Sequence, residues 1–481
     1  MSIRARSARY FSAALVSALV SFVTLPLTTK VLGPQSYGVL ALGSALAGVG
    51  AYIATLGMSF VTASRWPEAD RVERRRIVGT LLTIGVAVVL VWALIVAGSF
   101  AVLHTRVDFL RAITWPELLL MLGGLIFSPG WTITADIATV EGKATMFAAV
   151  NIVSAIVSAA ATLIALFVFD ALTISLFVGI FASSTVGLVA FFWYLGGYIT
   201  LTYDPHVRRE LAQTTFVVAQ IAETVQSLVE RVLLSRYVGY ASLGLFSHSR
   251  RYRDFANQAT GSVTRGVWPV TLGEARDPHN TFAATGRTWR TVYVWLTACG
   301  IGATAIGDRF ISALTHDKFT PAWTYLAPWF VLLLVQLSAK PELGTLYAFG
   351  RSHTMGRISL FSNVLGIVGS ASLIPWLGTG GALTALALQW LSYRVAVRIP
   401  ARRLRRIPFQ DGWAVAGCVV LLALYGVKLI AGRGAGVELA LLFGGEVLWL
   451  GAAAVLSRDV FDLLPKGRAS AARVQSLDAA P

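Results

Sequence analysis

Long apolar runs, separated by short polar connections, recur along the whole chain. Each run has about 20 residues, which is the length that an α-helix needs to span a bilayer. The pattern predicts fourteen such helices, over residues 9–31, 39–62, 77–103, 115–137, 145–169, 172–199, 212–236, 240–268, 287–312, 322–348, 356–376, 379–399, 412–431 and 437–457. The predicted fold class is therefore an all-α polytopic membrane protein, and the connections are too short to hold a folded domain outside the bilayer.

The composition supports the same class. Of the 481 residues, 56% are hydrophobic and only 13% are charged, whereas soluble domains carry about 25% charged residues. The two cysteines, Cys299 and Cys418, lie inside apolar runs, so they offer neither a disulfide framework nor a metal-ligand spacing. The sequence also has no glycine-rich motif of the kind that cradles nucleotide phosphates. We therefore expect no enzymatic activity, no catalytic residue, no metal and no bound cofactor.

The net charge of +16 has two readings. In a soluble protein it would suggest a nucleic-acid partner, but basic residues also collect in the cytoplasmic connections of membrane proteins. With a cytoplasmic N-terminus, the 40 Lys and Arg divide into 26 cytoplasmic (Arg394 among them), 8 external (including Arg309 and Lys428) and 6 at membrane depth. This bias predicts that both termini are cytoplasmic, and no nucleic acid is needed to explain the charge.

Two connections have the same pattern. Residues 30–40 read Lys-Val-Leu-Gly-Pro-Gln-Ser-Tyr-Gly-Val-Leu, and residues 236–246 read Arg-Tyr-Val-Gly-Tyr-Ala-Ser-Leu-Gly-Leu-Phe. A basic residue and two glycines match at one offset, because 236 − 30, 239 − 33 and 244 − 38 all equal 206. Six predicted helices lie between the copies, which is typical of parallel repeats related by an axis along the membrane normal. The alternative is that both are ordinary glycine-containing turns.

The repeat predicts two pseudo-symmetric six-helix lobes and two extra C-terminal helices. The N-lobe covers 1–210 with helices 1–6, the C-lobe covers 211–400 with helices 7–12, and 401–481 holds a basic linker, helices 13 and 14 and a polar tail. In repeat transporters the substrate site lies near the membrane midplane between the lobes. The linker arginines are expected to contact anionic lipid headgroups; they are Arg402, Arg403, Arg405 and Arg406.

The hairpin at 226–269 is exceptional because it carries many charges within predicted helices 7 and 8. A charge at membrane depth costs about 2.5–3.5 kcal/mol on insertion scales and normally faces a bundle interior or a water-filled cavity. Arg250 lies about 15 Å along helix 8 from its start, which is near the midplane. Five residues of helix 8 follow one another at intervals of 4, 3, 4 and 4 residues, which places them on one helical face. They are Arg250, Asp254, Asn257, Gly261 and Arg265. The pattern predicts a cavity that is cationic on the C-lobe side.

The candidate site residues fall into two groups. Those predicted to bind substrate in the cavity are Arg250, Arg253, Asn257, Arg265, Arg231 and Lys340. Those predicted to balance charge or couple to an ion are Glu223, Glu230 and Asp254. Some alternatives stay open. Glu223–Arg253 and Asp254–Arg250 ion pairs would only hold the fold, and Lys340 precedes Pro341-Glu342, which favours a kink with a local ion pair. The hydroxyls of helix 1 are more typical of packing contacts; they are Ser17, Ser21, Thr24 and Thr28.

Several of these segments also carry a family resemblance. They are Val-Leu-Gly-Pro-Gln-Ser-Tyr-Gly at 31–38, Leu-Gly-Met at 56–58, Glu-Arg-Val-Leu-Leu-Ser-Arg-Tyr-Val-Gly at 230–239 and Leu-Gly-Leu-Phe at 243–246. In them the sequence resembles polysaccharide flippases of the O-antigen-unit type, within the multidrug/oligosaccharidyl-lipid/polysaccharide (MOP) exporter superfamily. The likeness covers about residues 8–400. Family members often have Asp where Glu230 stands and Tyr where Phe246 stands.

The resemblance implies a multi-pass protein of the bacterial inner membrane whose two lobes rock between inward- and outward-open states. The implied substrate is an undecaprenyl-pyrophosphate-linked oligosaccharide, and the implied transport unit is a monomer. The implied partners are membrane lipids, and glycan-assembly proteins are an open alternative. A gradient of H⁺ or Na⁺ is an open alternative for the energy source of transport. The rivals are a multidrug/cation antiporter, a lipid II flippase and, less well supported, a membrane-embedded glycan polymerase. A cation antiporter is expected to have acidic residues in its cavity, whereas the predicted cavity has an excess of arginine. A polymerase is expected to have a large external loop, and the predicted connections are all short.

Overall fold

Helices form nearly all of the chain in the computed structural model, which describes residues 3–55, 58–67, 69–106, 111, 113–169, 174–200, 203–208, 215–277, 282–404, 411–432 and 434–456. Within these ranges the helices that coincide with the predicted segments are numbered α1–α14. The first six are α1 (Ile3–Val31), α2 (Pro34–Thr55, then Met58–Arg65), α3 (Arg71–Leu103), α4 (Trp115–Val140), α5 (Ala144–Phe167) and α6 (Ile174–Leu195). The next six are α7 (Thr215–Tyr237), α8 (Tyr240–Arg276), α9 (Ala283–Thr315), α10 (Leu326–Ser338, then Lys340–Ala348), α11 (Ser352–Leu377) and α12 (Thr379–Leu404). The last two are α13 (Asp411–Ala431) and α14 (Ala435–Leu439, a π-helical turn Ala440–Gly444, and Gly445–Leu456).

Eight helices in the described ranges are long and apolar enough to cross a membrane by length and composition alone. They are α3, α4, α5, α6, α10, α11, α13 and α14. Helices α7 and α8 fall short of that criterion because they carry the charges noted above. The polar tail and the linker residues Arg405 and Arg406 lie outside the described residues.

The packing of α1–α6, here called the first half, repeats in α7–α12, the second half. Helix α1 packs on α5 as α7 packs on α11, and α2 packs on α4 as α8 packs on α10. The pairs α4–α6 and α5–α6 likewise correspond to α10–α12 and α11–α12. Across the halves, α1 packs on α8 and α7 packs on α2, while α2 and α8 pack on each other. The residue boundaries of the two lobes stay a prediction.

Two glycines allow α2 and α8 to cross in direct backbone contact. A methyl group on Gly38 would overlap the carbonyl oxygen of Tyr240, and one on Gly244 would overlap that of Pro34. The two contacts are equivalent, since 34 + 206 = 240 and 38 + 206 = 244. The crossing lies at the end of the bundle that is predicted to be external, here called the outer end; the opposite end is the inner end.

The extra helices are attached to α9 by two ion pairs. Lys428 of α13 is fully buried, where its ammonium lies 2.7 Å from Asp308 and donates to the carbonyl oxygen of Ala305 at 2.7 Å. Next to Asp308, Arg309 pairs with the buried Glu438 of α14. Lys428, which the charge count places on the external side, is thus buried beside a carboxylate of α9.

Each half has a carboxylate near its inner end. In the first half, Glu141 follows α4 and accepts hydrogen bonds from Tyr194 and from Trp66 (2.9 Å), and it pairs with Lys143 at 2.9 Å. Burial acts to raise the pKa of Glu141, but these hydrogen bonds outweigh it and lower the pKa below its ordinary value. In the second half, the buried Glu342 pairs with Arg394. Arg394, which the charge count places in the cytoplasmic segments, is thus buried within the bundle near its inner end.

Candidate functional site

A cavity of about 950 Å³ lies between the two halves. Helices α1, α2, α5 and α6 line it from the first half, and α8 and α10 line it from the second. On α2 and α8 its lining begins at Leu40 and Arg251, which is on the inner side of the glycine crossing. The outer end is therefore closed by backbone contact, and the space lies between that closure and the inner end.

The second half contributes a charged wall, defined as Arg251, Asp254, Asn257, Gln258 and Lys340. Four of these residues lie on one face of α8, which continues inward to Gly261. The Arg251 guanidinium also lies over the ring of the buried Tyr37, 4.8 Å from its centroid, and this cation–π contact helps to hold the side chain in place. The charged residues that line the cavity come from α8 and α10, so the lining has the asymmetry expected from the sequence.

Lys340 reaches the cavity because α10 is broken beside it. The first segment ends at Ser338 and the second begins at Lys340, with Pro341 as its second residue. Proline has no N–H and its ring clashes with the carbonyl four residues earlier, so the helix cannot continue through this point. The kink that was one alternative is therefore present. The ion pair expected beside it is not local, because Glu342 pairs with Arg394 of α12.

Arg250 and Arg253 form a second layer behind the wall. Arg250 lies 3.5 Å from Glu230 of α7, and Arg253 lies 3.8 Å from Asp254 and donates to Gln336 of α10. Both guanidiniums lie over the ring of Trp329, at 5.6 and 5.3 Å from its centroid. Neither arginine is among the residues that line the cavity in this conformation.

The ion pairs weighed from the sequence are therefore corrected. Arg250 pairs with Glu230 instead of Asp254, and Arg253 pairs with Asp254 instead of Glu223. Glu230 is a buried residue of α7 that lies beside Arg250, whereas Asp254 directly follows Arg253 in α8. The sequence gives the helical face of each residue but not the rotation of one helix against the next.

The two remaining arginines of the candidate set lie elsewhere. Arg231 donates a hydrogen bond of 2.6 Å to the carbonyl oxygen of Ala41 in α2, so it joins the halves near the outer end. The side chain of Arg265 lies outside the described residues. Asn257 and Lys340 are thus the members of the predicted binding set that line the cavity, together with Asp254 from the charge-balancing set.

The first half contributes a hydroxyl wall, which we define by its polar lining residues on α1 and α5. They are Ser17, Thr24, Thr28, Asn151, Ser154, Ser158 and Thr162. Thr24 and Thr28 donate to carbonyl oxygens of their own helix at 2.7 and 3.0 Å, and the Asn151 amide does the same at 2.8 Å. These donors are satisfied locally, so the groups are stable in an apolar helix while their oxygens stay available as acceptors.

A smaller inner chamber of about 180 Å³ lies within the second half. Glu223, Gln336 and Lys340 line it together with residues of α11 and α12. A hydrogen-bonded chain crosses its back, in which Gln389 donates to Asn363 (2.7 Å) and Asn363 donates to the carbonyl oxygen of Ala219 (2.9 Å). Lys340 lines both spaces and attracts Glu223 electrostatically, so it separates the cavity from the chamber.

Sequence reasoning missed two parts of this arrangement. The candidate set does not include Arg251, although this residue lines the cavity. The α5 stripe of Asn151, Ser154 and Ser158, with spacings of 3 and 4, was a usable signal of a cavity-facing surface. Within the described part of the chain, no group of three His, Cys, Asp or Glu residues is placed to hold a metal ion.

Comparison with known families now bears on this geometry. The family model described as polysaccharide biosynthesis protein matches residues 5–270, which is 266 of 481 residues and runs from α1 through most of α8. The chain belongs to this polysaccharide biosynthesis protein family. The matched part includes the glycine crossing, the hydroxyl wall and four of the five residues of the charged wall. No curated protein sequence matches the chain.

Solved structures show the same fold for this member of the family. A lipid II flippase, MurJ, in an inward closed conformation has a TM-score of 0.66 at 14% identity and covers 94% of this chain and 99% of its own. An inward-facing multidrug resistance MATE transporter of the MOP superfamily has a TM-score of 0.62 at 11% identity and covers 83% of this chain and 99% of its own. The eukaryotic MATE transporter AtDTX14 has a TM-score of 0.57 at 12% identity and covers 87% of this chain and 97% of its own. The chain is therefore a multi-pass membrane protein with the fold of the MOP superfamily.

Proposed function

We propose that this protein is a flippase that moves an undecaprenyl-pyrophosphate-linked oligosaccharide of the O-antigen-unit type across the bacterial inner membrane. The observation that carries the proposal is the composition of the central cavity. Its charged wall offers Arg251 and Lys340, and its opposite wall offers hydroxyl and amide groups. An anionic headgroup with attached sugars has complementary chemistry, because guanidinium and ammonium groups bind phosphate oxygens.

The physical problem of such a transport is desolvation of the pyrophosphate. An unpaired anion cannot cross hydrocarbon at an acceptable rate. A polar cavity with two cations removes much of that barrier, while the prenyl tail stays in the lipid. Alternating access then requires the α2–α8 crossing at the outer end to open and the inner end to close, and the parallel repeat of packing supports such a rocking motion.

The energy source is part of the proposal. We assign ion coupling, by H⁺ or Na⁺, to Glu223, because it is exposed in the inner chamber next to Lys340. When Lys340 binds a phosphate, its positive charge is partly neutralised and stabilises the Glu223 carboxylate less. The carboxylate then binds H⁺ or Na⁺ more readily. Glu230 is less suited to this role because it is buried beside Arg250.

The proposal is tested with purified protein in proteoliposomes that contain a fluorescent undecaprenyl-pyrophosphate-linked oligosaccharide. We expect wild-type protein to expose the lipid to an added glycosidase or quencher on the far side, and an imposed H⁺ or Na⁺ gradient to change the rate. Lipid II and a cationic dye serve as competing cargoes. Transport of the dye alone would contradict the proposal. Transport of lipid II alone would show that the substrate is lipid II and not the oligosaccharide lipid proposed here.

A further inference from the structure

The hydroxyl wall has a chemistry that the transport of pyrophosphate does not require. Its α5 members Asn151, Ser154 and Ser158 lie on one helical face, and Ser17 and Thr24 of α1 line the same space. Among the described first-half residues that line the cavity, none carries a charge. The wall is thus polar and neutral over its whole described surface.

Packing accounts for only part of this surface. Small hydroxyl residues commonly line helix–helix contacts in membranes, and Thr162 and Ser158 do contact Gly179 of α6. Asn151 and Ser154, in contrast, are half-buried and line the cavity of about 950 Å³. Ser17 is also on the cavity, and its hydroxyl is buried without a hydrogen-bond partner among the described residues.

The bonding state of the wall matches a ligand with many hydroxyl groups. Thr24 and the Asn151 amide donate within their own helices, which leaves their oxygens available as acceptors. A serine hydroxyl rotates and can donate or accept. Sugar hydroxyls need both kinds of partner, and the aromatic rings of Phe147 and Phe255 in the lining add apolar surface for the C–H faces of a sugar ring.

We propose that the hydroxyl wall binds the sugar part of the lipid-linked substrate, and that the sugars bound there are uncharged. This inference rests on the function proposed above. The phosphates then face Arg251 and Lys340 while the sugars face α1 and α5, so the substrate has one orientation across the cavity. A uronic acid bound at the wall would lose hydration without gaining a counter-charge from the described residues of α1 and α5.

Three lipids in proteoliposomes test this inference. They are undecaprenyl pyrophosphate with a neutral trisaccharide, the same lipid with one hexose replaced by a hexuronic acid, and undecaprenyl pyrophosphate without sugar. We expect the wild-type protein to move the neutral-glycan lipid at least about tenfold faster than the acidic one, since a charge without a partner in the membrane is expensive.

Two variants separate binding from folding. Asn151→Ala/Ser154→Ala is expected to slow the neutral-glycan lipid about tenfold, through the loss of two hydrogen bonds, with little change for the sugar-free lipid. Ser154→Lys is expected to raise transport of the acidic lipid relative to the neutral one. The matched control is Ser184→Ala/Thr185→Ala on α6, which removes two hydroxyls that do not line the cavity and is expected to leave all three rates unchanged.

The outcomes distinguish this inference from the function on which it rests. Equal transport of neutral and acidic lipids by the wild type overturns the inference alone, and so does an equal loss for all three lipids in Asn151→Ala/Ser154→Ala. Failure of the wild type to move any of the three overturns the proposed function as well. The melting temperature of each purified variant shows that a changed rate is not a folding defect.

Discussion

In the first half of the bundle, the cavity wall is made of neutral hydroxyl and amide groups, and those of Thr24, Thr28 and Asn151 bond within their own helices. The second half instead places charges on the cavity and supports them with further residues. Thr24 and Asn151 need only the carbonyl groups of the preceding turn. Behind the charged wall lies a full layer, in which Arg250 meets Glu230 and Arg253 meets Gln336. The two walls face one space but depend on their surroundings to different degrees.

The difference shows what a charge at membrane depth demands of its neighbours. A hydroxyl that bonds to its own helix can be exchanged for alanine with little disturbance. A guanidinium without a counter-charge or a hydrogen-bond acceptor strongly destabilises a membrane helix. Substitutions in the hydroxyl wall should therefore alter transport with little effect on stability, while those in the layer behind the charged wall should alter stability first.

The largest effect is expected from removing the cations of the charged wall. Arg251→Ala/Lys340→Ala takes away two charge-assisted hydrogen bonds to phosphate, each of about 1.5–3 kcal/mol, so transport should fall by about a hundredfold or more. The first-half lining has no described cation to replace them. The initial rate of flipping in proteoliposomes measures the loss. Arg236→Ala, an exposed arginine at the outer end of α7, is the matched control and should retain full activity; an active double variant would show that the phosphates bind elsewhere.

At the glycine crossing the two halves are equivalent, so equivalent substitutions should act alike. Gly38→Ala and Gly244→Ala each push a methyl group against a carbonyl oxygen of the opposite helix. Overpacking costs about 1–3 kcal/mol, which shifts the equilibrium about 5- to 150-fold toward an open outer end. A Ser44→Cys probe in a background without Cys299 and Cys418 should react faster with an impermeant maleimide added outside.

Gly48→Ala in α2 is the control for this experiment, because a methyl group there meets open space. Unchanged labelling in both crossing variants would contradict the role of the crossing as the outer closure. A response of only one variant would contradict the equivalence of the two halves.

A smaller effect, on stability, is expected in the layer behind the charged wall. Glu230→Gln leaves Arg250 without a counter-charge and close to Arg253. Breaking a fully buried pair costs about 3–5 kcal/mol, and the cost should be lower here because 21% of the Arg250 side chain is exposed. Thermal unfolding in detergent should show the loss, with partial recovery in Glu230→Gln/Arg250→Gln. Ser154→Ala on the opposite wall should change stability by less than about 0.5 kcal/mol; a comparable loss there would remove the contrast between the walls.

The smallest expected effect concerns Glu141 at the inner end of the first half. Because its pKa is lowered in the folded protein, its contribution to stability is present above about pH 4.5 and is lost as the pH falls through the folded-state value. Glu141→Gln should therefore lower stability by about 1–2 kcal/mol at pH 7. The melting temperatures of the variant and the wild type should converge as the pH falls below 4.5. A difference that stays constant down to pH 3 would contradict the assignment.

Much of the fold followed from the sequence because apolar length and helical period are local properties. Every predicted segment coincides with a helix, and the offset of 206 that relates Gly38 to Gly244 also relates the contacts that they make. The predicted ends were less accurate. Helix α8 runs to Arg276 and not to 268, because polar residues continue a helix when neighbouring helices shield them.

The site followed only in part because it depends on how helices are rotated against one another. Of the predicted α8 face, Asp254, Asn257 and Gly261 line the cavity, but Arg251 stands there in place of Arg250. A shift of one residue turns a helical face by 100°, and the pull of Glu230 on Arg250 is a contact between helices that spacing along one helix does not reveal. The break at Lys340 was foreseeable because Pro341 acts locally.

The pair between Lys428 and Asp308 also has a consequence for how the chain is made. Synthesis proceeds from the N-terminus, so α9 with its carboxylate is present before α13 emerges with its lysine. An ammonium that enters the bilayer without a partner is unfavourable, and the side chain of Lys428 is fully enclosed once it meets Asp308. Burial of Lys428 therefore requires that α9 is already in the membrane, so the last hairpin can adopt its final packing only after α9 is in place.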